Sequence, residues 1–267
     1  MTLNICVAGA TGWAGRAVAE GVLAAEDLTL TSAVSRSAAS QDLGEVWTGE
    51  PNRVGVHGSV DAALDGVDVL IDYTSHDAVR DNTIAAIARG TSVVIGSSGL
   101  NAADFAEIEK AALSHGVGVV AAGNFSLTAA LAQAATLLAA RHLPSWEIID
   151  YASASKPDAP SGTTRELAER LAAIRPPYVE IPVGDTAGHP EARGATVAGS
   201  QVHAIRLPGH VLSFEVVFGL PDERLSIRHD AGSSAAPYVA GTLLATRVVG
   251  KRTGLTRGLD TLLLDRA

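Results

Sequence analysis

Residues 3–15 read Leu-Asn-Ile-Cys-Val-Ala-Gly-Ala-Thr-Gly-Trp-Ala-Gly, an apolar run of strand length that breaks into glycines at 9, 12 and 15 and continues with helical spacing. Few local geometries satisfy that order. Gly9 permits a turn too tight for a side chain, Gly12 leaves the backbone open to close approach, and Gly15 lets the following helix pack against the strand it has just left. The helix then presents unpaired N–H groups to whatever lies above the turn, which favours a phosphate. Gly-x-x-Gly-x-x-Gly is a variant of the dinucleotide fingerprint. Alone it also describes a structural turn; its place after the first strand and before a helix is what makes it informative. Thr11, Trp13 and Ala14 complete the loop.

The pattern continues as strands alternating with helices. Apolar runs at Leu3–Ala8, Leu28–Val34, Val67–Tyr73, Ser92–Ile95 and Val117–Ala122 predict strands. Gly15–Ala25, Asp77–Arg89 and Ala102–Ser114 predict helices between them. Such alternation specifies an α/β fold with a doubly wound parallel sheet. After Asn124 the order changes. Leu127–Arg141 reads as an Ala/Leu helix with Ser126 as its cap, Glu147–Tyr151 as a strand, and a second helix follows Pro160-Ser161-Gly162. Pro176–Gly199 reads as a long loop. Val202–Arg206, Val211–Phe218 and Arg224–His229 read as strands, the last two joined by a hairpin over residues 219–223. A helix over Pro237–Val249 and a short tail end the chain. The domains expected are a dinucleotide-binding domain over 1–126, completed by 237–267, and an α+β substrate and oligomerisation domain over 127–236.

Composition narrows the partners. Twenty Lys and Arg against 29 Asp and Glu give a net charge of −9, which argues against nucleic acid or an anionic membrane. The most apolar stretch, Leu127–Ala140, is too short and too polar for a membrane span. The first residues carry no secretory signal pattern, and the expected compartment is the cytoplasm. Cys6, the single cysteine, excludes a disulfide framework. No cluster has metal-ligand spacing, so no metal is expected. Only Lys110, Lys156 and Lys251 are lysines, so a lysine beside a motif is notable.

Ligands of doubly wound sheets lie at the C-terminal ends of the strands. After the second strand stand Ser35, Arg36 and Ser37, where an NAD-preferring site carries an acid. An arginine between hydroxyls suits a ribose 2′-phosphate, which predicts NADPH with NADH as a weaker cofactor; Arg36 as an ordinary solvated loop residue is the alternative. Other strand ends carry Tyr73-Thr74, Gly96 and Ser98, and Gly123-Asn124-Phe125. Tyr73 and Phe125 are placed to flank a nicotinamide, and Gly96 and Ser98 to approach the cofactor by backbone. In the second half, Lys156-Pro157-Asp158-Ala159-Pro160-Ser161-Gly162-Thr163 opens a helix. Its N–H groups, the Thr163 hydroxyl and the helix dipole receive a carboxylate, with Lys156 as a nearby cation.

Taken together these motifs resemble the dihydrodipicolinate reductase family. The resemblance extends through Asp72-Tyr73-Thr74, Val94 to Gly99, Asn124-Phe125-Ser126, the specific Lys156–Thr163 run, Val202 to Leu207 and Ile227 to Asp230. It implies a Rossmann-type domain, a substrate domain with an open mixed sheet, a homotetramer built through that sheet, and hydride transfer from NADPH or NADH to a cyclic dicarboxylate of lysine biosynthesis. The family usually carries His-His-x-His-Lys before Asp-Ala-Pro-Ser-Gly-Thr. Here the stretch is Ala152-Ser153-Ala154-Ser155-Lys156. Ala152 stands at the family's proposed proton donor and Ser153 at a substrate-contacting histidine. Trp13 stands where a basic residue is common, and Ser233 and Ser234 replace a Ser-Arg pattern.

Alanine donates no proton, and reduction of C=N or conjugated C=C still needs one. Lys156, Tyr151, Ser155 or water remain as donors, with Ser153, Lys156, Gly162 and Thr163 binding substrate. Three readings compete: an NADPH-dependent reductase of a small, imine-type substrate other than the lysine precursor; the 4-hydroxy-tetrahydrodipicolinate reductase with an unusual acid; and a non-catalytic NADPH-binding sensor.

Overall fold

The computed structural model describes residues 2–264. They form two compact units, residues 2–127 with 235–264, and residues 128–234. The first unit begins with β1 (Leu3–Ala8), α1 (Trp13–Leu23), β2 (Leu28–Val34), α2 (Leu43–Thr48), β3 (Gly55–His57), α3 (Val60–Ala63), β4 (Val69–Asp72), α4 (Val79–Ala88), β5 (Ser92–Ile95), α5 (Ala102–His115) and β6 (Gly118–Ala121). β4, β5 and β6 are buried at every position, as strands covered by helices on both faces must be. α5 starts at a capping box between Asn101 and Asp104 and stops at Gly116, whose φ of 67° is left-handed. The stretch between β2 and β4 carries α2, β3 and α3, three short elements beyond those expected. The first two are folded around Asp42, whose carboxylate accepts from the backbone N–H groups of Gly44, Glu45, Asn52 and Arg53. Those bonds, led by Asn52, hold its pKa below the usual carboxylate value.

The second unit takes in α6 (Leu127–Ala140) after its first residue, followed by β7 (Ser145–Ala152), α7 (Gly162–Ala172), β8 (Ala195–Val197), β9 (Ser200–Arg206), β10 (Leu212–Leu220) and β11 (Glu223–Ala231). They make a sheet in the order β11-β10-β7-β9-β8. β7 and β9 run parallel and the other pairs antiparallel, so the sheet is mixed. β7 alternates strictly: Trp146, Ile148, Asp150 and Ala152 are buried while the residues between them are half-buried. Trp146 and Ile148 of the inward set pack with Ala129, Ala140, Leu167, Ala168 and Leu171 of the two helices, so helices cover that face. The β10–β11 hairpin is tighter than expected: Leu220 pairs with Glu223, leaving Pro221-Asp222 as the turn with Asp222 at φ 63°. The expectation of a loop over Pro176–Gly199 is corrected. It holds two 3-10 turns and β8, which pairs with β9 through Ala198 and Gly199 at φ 47° and 87°. Two positive φ values define the type I′ hairpin turn; a three-residue strand is too short to show a period.

The chain then returns to the first unit with α8 (Ala236–Val249), β12 (Gly254–Arg257) and α9 (Leu259–Leu264). The segment expected to be a tail therefore holds a strand. β12 pairs in parallel with β6 and extends a seven-stranded sheet in the order β12-β6-β5-β4-β1-β2-β3.

Candidate active site

Strand order in the first sheet reverses at β1, which has β2 on one side and β4 on the other. A reversal opens a crevice above the carboxyl ends, and the glycine loop follows β1 there. Gly9 has φ 81°, and a Cβ on it would lie 2.3 Å from the carbonyl oxygen of Tyr73 at the end of β4; a Cβ on Gly15 would lie 2.1 Å from the carbonyl oxygen of Gly9. Both sites require glycine because backbone fills the space. A Cβ on Gly12 would meet only the Gly9 oxygen, at 3.2 Å. Gly12 is also the N-cap of α1, with no side chain capping the helix and no acid in its first turn. Bare backbone, open space and an uncapped positive helix end together fit a dinucleotide pyrophosphate. Trp13 is 57% exposed, its ring edge-on to Tyr238 at 5.7 Å; Ala14 follows it in the helix's first turn.

Asp72, wholly buried, organises the neighbouring strand ends. Its Oδ1 accepts from the Thr74 N–H and hydroxyl and from the Ser97 hydroxyl. Its Oδ2 accepts from the Asn82 amide of α4. One carboxylate thus ties the turn after β4 to the turn after β5. Tyr73 packs its ring where a Cβ of Gly96 would stand, at 2.3 Å, and its hydroxyl bonds Thr242 of α8 at 2.8 Å; burial pushes the phenol far above its usual range. Phe125 is fully buried, its ring 6.3 Å from that of Tyr73. The expectation that both rings flank a nicotinamide is corrected for Phe125, whose ring packs inside the unit. Asn124 accepts the Ser126 N–H just after Gly123, and Ser98 is exposed.

At the end of β2, Thr11, Ser35 and Ser37 form a hydroxyl chain, Thr11 to Ser35 at 2.9 Å and Ser35 to Ser37 at 3.2 Å. Arg36 between them is exposed. The Trp47 indole N–H of α2 donates to the Ala10 carbonyl at 3.3 Å, so the α2 segment leans on the glycine loop. Cys6 lies beneath, its thiol pushed up to about 12 by burial, and is inert.

In the second unit the Lys156–Thr163 run is pinned by Asp150, a buried acid of β7. Its Oδ2 accepts from the Ser161 N–H at 2.9 Å, and its Oδ1 from the Ser161 hydroxyl at 2.6 Å and the Thr164 hydroxyl at 2.8 Å. Arg206 at the end of β9 closes the cluster: its Nη2 donates to Asp150 Oδ2 and to the Asp158 carbonyl, both at 2.7 Å. Burial pushes the Asp150 pKa up, and the bonds from Ser161, Arg206 and Thr164 more than offset it, leaving it below the usual value. Ser161 caps α7, so Gly162 and Thr163 form its first turn. The Ser153 and Ser155 hydroxyls are 3.0 Å apart, and the Lys156 N–H donates to the Ser153 carbonyl.

Tyr151 does not join this group. Strand alternation turns it to the face opposite Asp150, where its hydroxyl donates to Glu215 and the Arg228 guanidinium lies 4.8 Å from its ring. It is withdrawn as a proton donor. Asp72, Asp150 and Arg206 are organising residues to which the sequence reading assigned no role, although Asp72 and Arg206 lie in runs that carry the family resemblance. The signal for the first two was available: each is an acid inside an apolar strand, and a buried charge must be satisfied. Among the described residues no group of three His, Cys, Asp or Glu side chains is placed to hold a metal, and no helix is long and apolar enough to cross a membrane.

The doubly wound sheet with its glycine loop defines a dinucleotide-binding protein of the Rossmann class. Residues 3–125 match the family described as dihydrodipicolinate reductase, N-terminus, and residues 123–263 the one described as dihydrodipicolinate reductase, C-terminus. The chain belongs to the dihydrodipicolinate reductase family. It is 37% identical to the 4-hydroxy-tetrahydrodipicolinate reductase of Synechococcus elongatus and 36% to that of Moorella thermoacetica, each match covering 98% of both chains. Among solved structures it is similar to a dipicolinate-bound dihydrodipicolinate reductase from Paenisporosarcina sp. TG-14, with a TM-score of 0.77, 25% identity and coverage of 98% of this chain and 99% of that one. An amine dehydrogenase from Mycobacterium smegmatis shares the fold, with a TM-score of 0.64 and 14% identity over 96% of this chain and 95% of that one. Membership of a reductase family displaces the sensor reading.

Proposed function

We propose that the chain is an NADPH-dependent reductase that delivers hydride to a C=N or conjugated C=C bond of a small, cyclic imine-type substrate. The observation that carries this reading is the clamp from Lys156 to Thr163, pinned by Asp150 and Arg206, in a chain whose preceding residues, Ala152 to Ser155, hold no imidazole. The dinucleotide supplies the hydride. The glycine loop, with Thr11, Gly12, Trp13 and Ala14, and the uncapped end of α1 receive its pyrophosphate. Arg36, between the Ser35 and Ser37 hydroxyls, meets a 2′-phosphate, a bidentate task for a guanidinium.

Lys156, Gly162 and Thr163 hold the substrate carboxylate. Ser153 and Ser155 line the same turn and can relay a proton from water. Lys156 is the only cationic side chain of the turn from Ser153 to Lys156, and its ammonium is a donor without acceptor capacity. An iminium substrate would need no acid before hydride arrives. Without the imidazoles the site is less basic, which favours a substrate with less negative charge than a cyclic dicarboxylate.

The second reading is the 4-hydroxy-tetrahydrodipicolinate reductase of lysine biosynthesis with another acid. It is supported by full-length relatives of that name and by the dipicolinate in the similar structure. NADPH oxidation with the lysine precursor beside a panel of cyclic imines separates the two. Turnover of the precursor at ordinary enzyme rates overturns the first reading; turnover of an imine alone overturns the second. A lower KM for NADH than for NADPH would remove Arg36 from the site. A cytoplasmic homotetramer completes the proposal. The sheet face without helices carries Glu147, Ile149, His203, Ile205 and Val217 in a groove of about 740 Å³, a surface suited to copies of this chain. Sedimentation as a monomer would refute it.

A further inference from the structure

The lysine that defines the clamp is already engaged. Lys156 Nζ lies 2.7 Å from Asp158 Oδ1, with the two side chains 31% and 50% exposed. The main chain beneath the pair is held by other groups. The Asp158 carbonyl accepts from Arg206, the Lys156 N–H donates to Ser153, and Asp150 fixes Ser161 and Thr164. The ion pair can therefore open without moving the loop, and a half-exposed aspartate returns to water at little cost.

We propose that Asp158 is a specificity-determining residue: its carboxylate occupies, in the free protein, the place at Lys156 that a substrate carboxylate takes, so an anionic ligand binds by displacing it. The proposal rests on the reading of Lys156 as the substrate's cation. It follows that a ligand carboxylate exchanges one ion pair for another at Lys156 and gains little from charge alone. Discrimination then falls to the fixed donors at the start of α7, which demand the shape of the ligand as well as its charge. An uncharged ligand, which leaves the Lys156–Asp158 pair closed, is indifferent to Asp158.

Calorimetric titration of the full chain with dipicolinate, a cyclic dicarboxylate, tests this with Asp158→Asn, Lys156→Ala and the double variant. A partly exposed pair contributes at most about 1 kcal/mol, so Asp158→Asn is expected to tighten dipicolinate binding by about three- to fivefold. Lys156→Ala should weaken it, and in that background Asp158→Asn should change nothing. Weaker or unchanged binding in Asp158→Asn, while Lys156→Ala loses affinity, overturns this proposal and leaves the clamp standing. An equal gain from Asp158→Asn in both backgrounds also overturns it, since the effect would then be bulk charge. Absent dipicolinate binding overturns this proposal, since no ligand carboxylate then displaces Asp158; binding indifferent to Lys156→Ala removes Lys156 from the site and this proposal with it.

Discussion

Substituting Asp150 with asparagine changes one atom at the centre of the clamp. The carboxylate receives two groups that only donate, the Ser161 N–H and Arg206 Nη2, on Oδ2, and two hydroxyls, those of Ser161 and Thr164, on Oδ1. Asparagine can keep this pattern by placing its carbonyl oxygen toward the donors and its amide toward the hydroxyls, which turn over and accept. The hydrogen bonds survive; the charge opposite Arg206 does not. Removing one partner of a buried ion pair costs about 3–5 kcal/mol. Arg206 retains 17% side-chain exposure, and its bond to the Asp158 carbonyl persists, so the expected loss is about 2–3 kcal/mol. The readout is urea unfolding of the second unit followed by Trp146, buried in its core, with Trp13 and Trp47 replaced by phenylalanine. At a slope of about 2 kcal/mol per molar urea the midpoint falls by about 1–1.5 M. Adding Arg206→Met should recover part of the loss by removing the unpaired charge. A midpoint within about 0.2 M of the parent chain, below the resolution of such slopes, would show that Asp150 does not hold the clamp by its charge.

The glycine loop separates folding from binding. Gly15→Ala should lower the first unit's stability by about 1–3 kcal/mol or more because its Cβ meets backbone. Gly12→Ala should fold normally and weaken dinucleotide binding at least tenfold, as measured by fluorescence titration; equal effects of the two would contradict the assignment. Gly96→Ala should destabilise through the Tyr73 ring, and adding Tyr73→Leu should relieve it, a coupling visible in a double-mutant cycle. Acid should weaken the second unit. Burial pushes His229 below its usual 6.5, so below about pH 6.5 the unfolded chain binds a proton that the folded one refuses. Stability present above that pH is then lost on acidification, by at most about 1.4 kcal/mol per pH unit. The lowered Asp150 adds a second loss below its usual 3.8. His229→Gln should flatten the first limb just below pH 6.5; an unchanged slope there would exclude His229 as its source.

The sheet order of the first unit could be anticipated because its information is local: apolar runs of strand length separated by helical periods, with glycines fixing the first turn. What escaped was short or non-local. β8 and β12 have three and four residues, too few to display a period, and β12 becomes a strand only because β6 offers an edge. The Lys156–Thr163 run leads into a helix start as expected, but its anchorage was not legible. Arg206 lies 56 positions from Asp150, and although it falls in the quoted run Val202 to Leu207, nothing there pairs it with that acid. Tyr151 failed as a donor for the opposite reason: the strand over Glu147–Tyr151 was expected, and counting its alternation from Asp150 would have turned Tyr151 away.

The path of the chain has a consequence for how it is made. The second unit is an insertion: the chain leaves the first unit after Leu127 and re-enters it at Ala235, and Thr128 is bonded to His229 at 3.1 Å, so the insertion begins and ends close together. During synthesis β6 therefore waits as an open sheet edge, apolar at Val119 and Val120, until more than a hundred further residues have been added and β12 arrives to pair with it. The inserted unit can complete its own sheet in that interval. A chain stalled or cut before residue 254 would leave the β6 edge free to recruit a strand from another molecule.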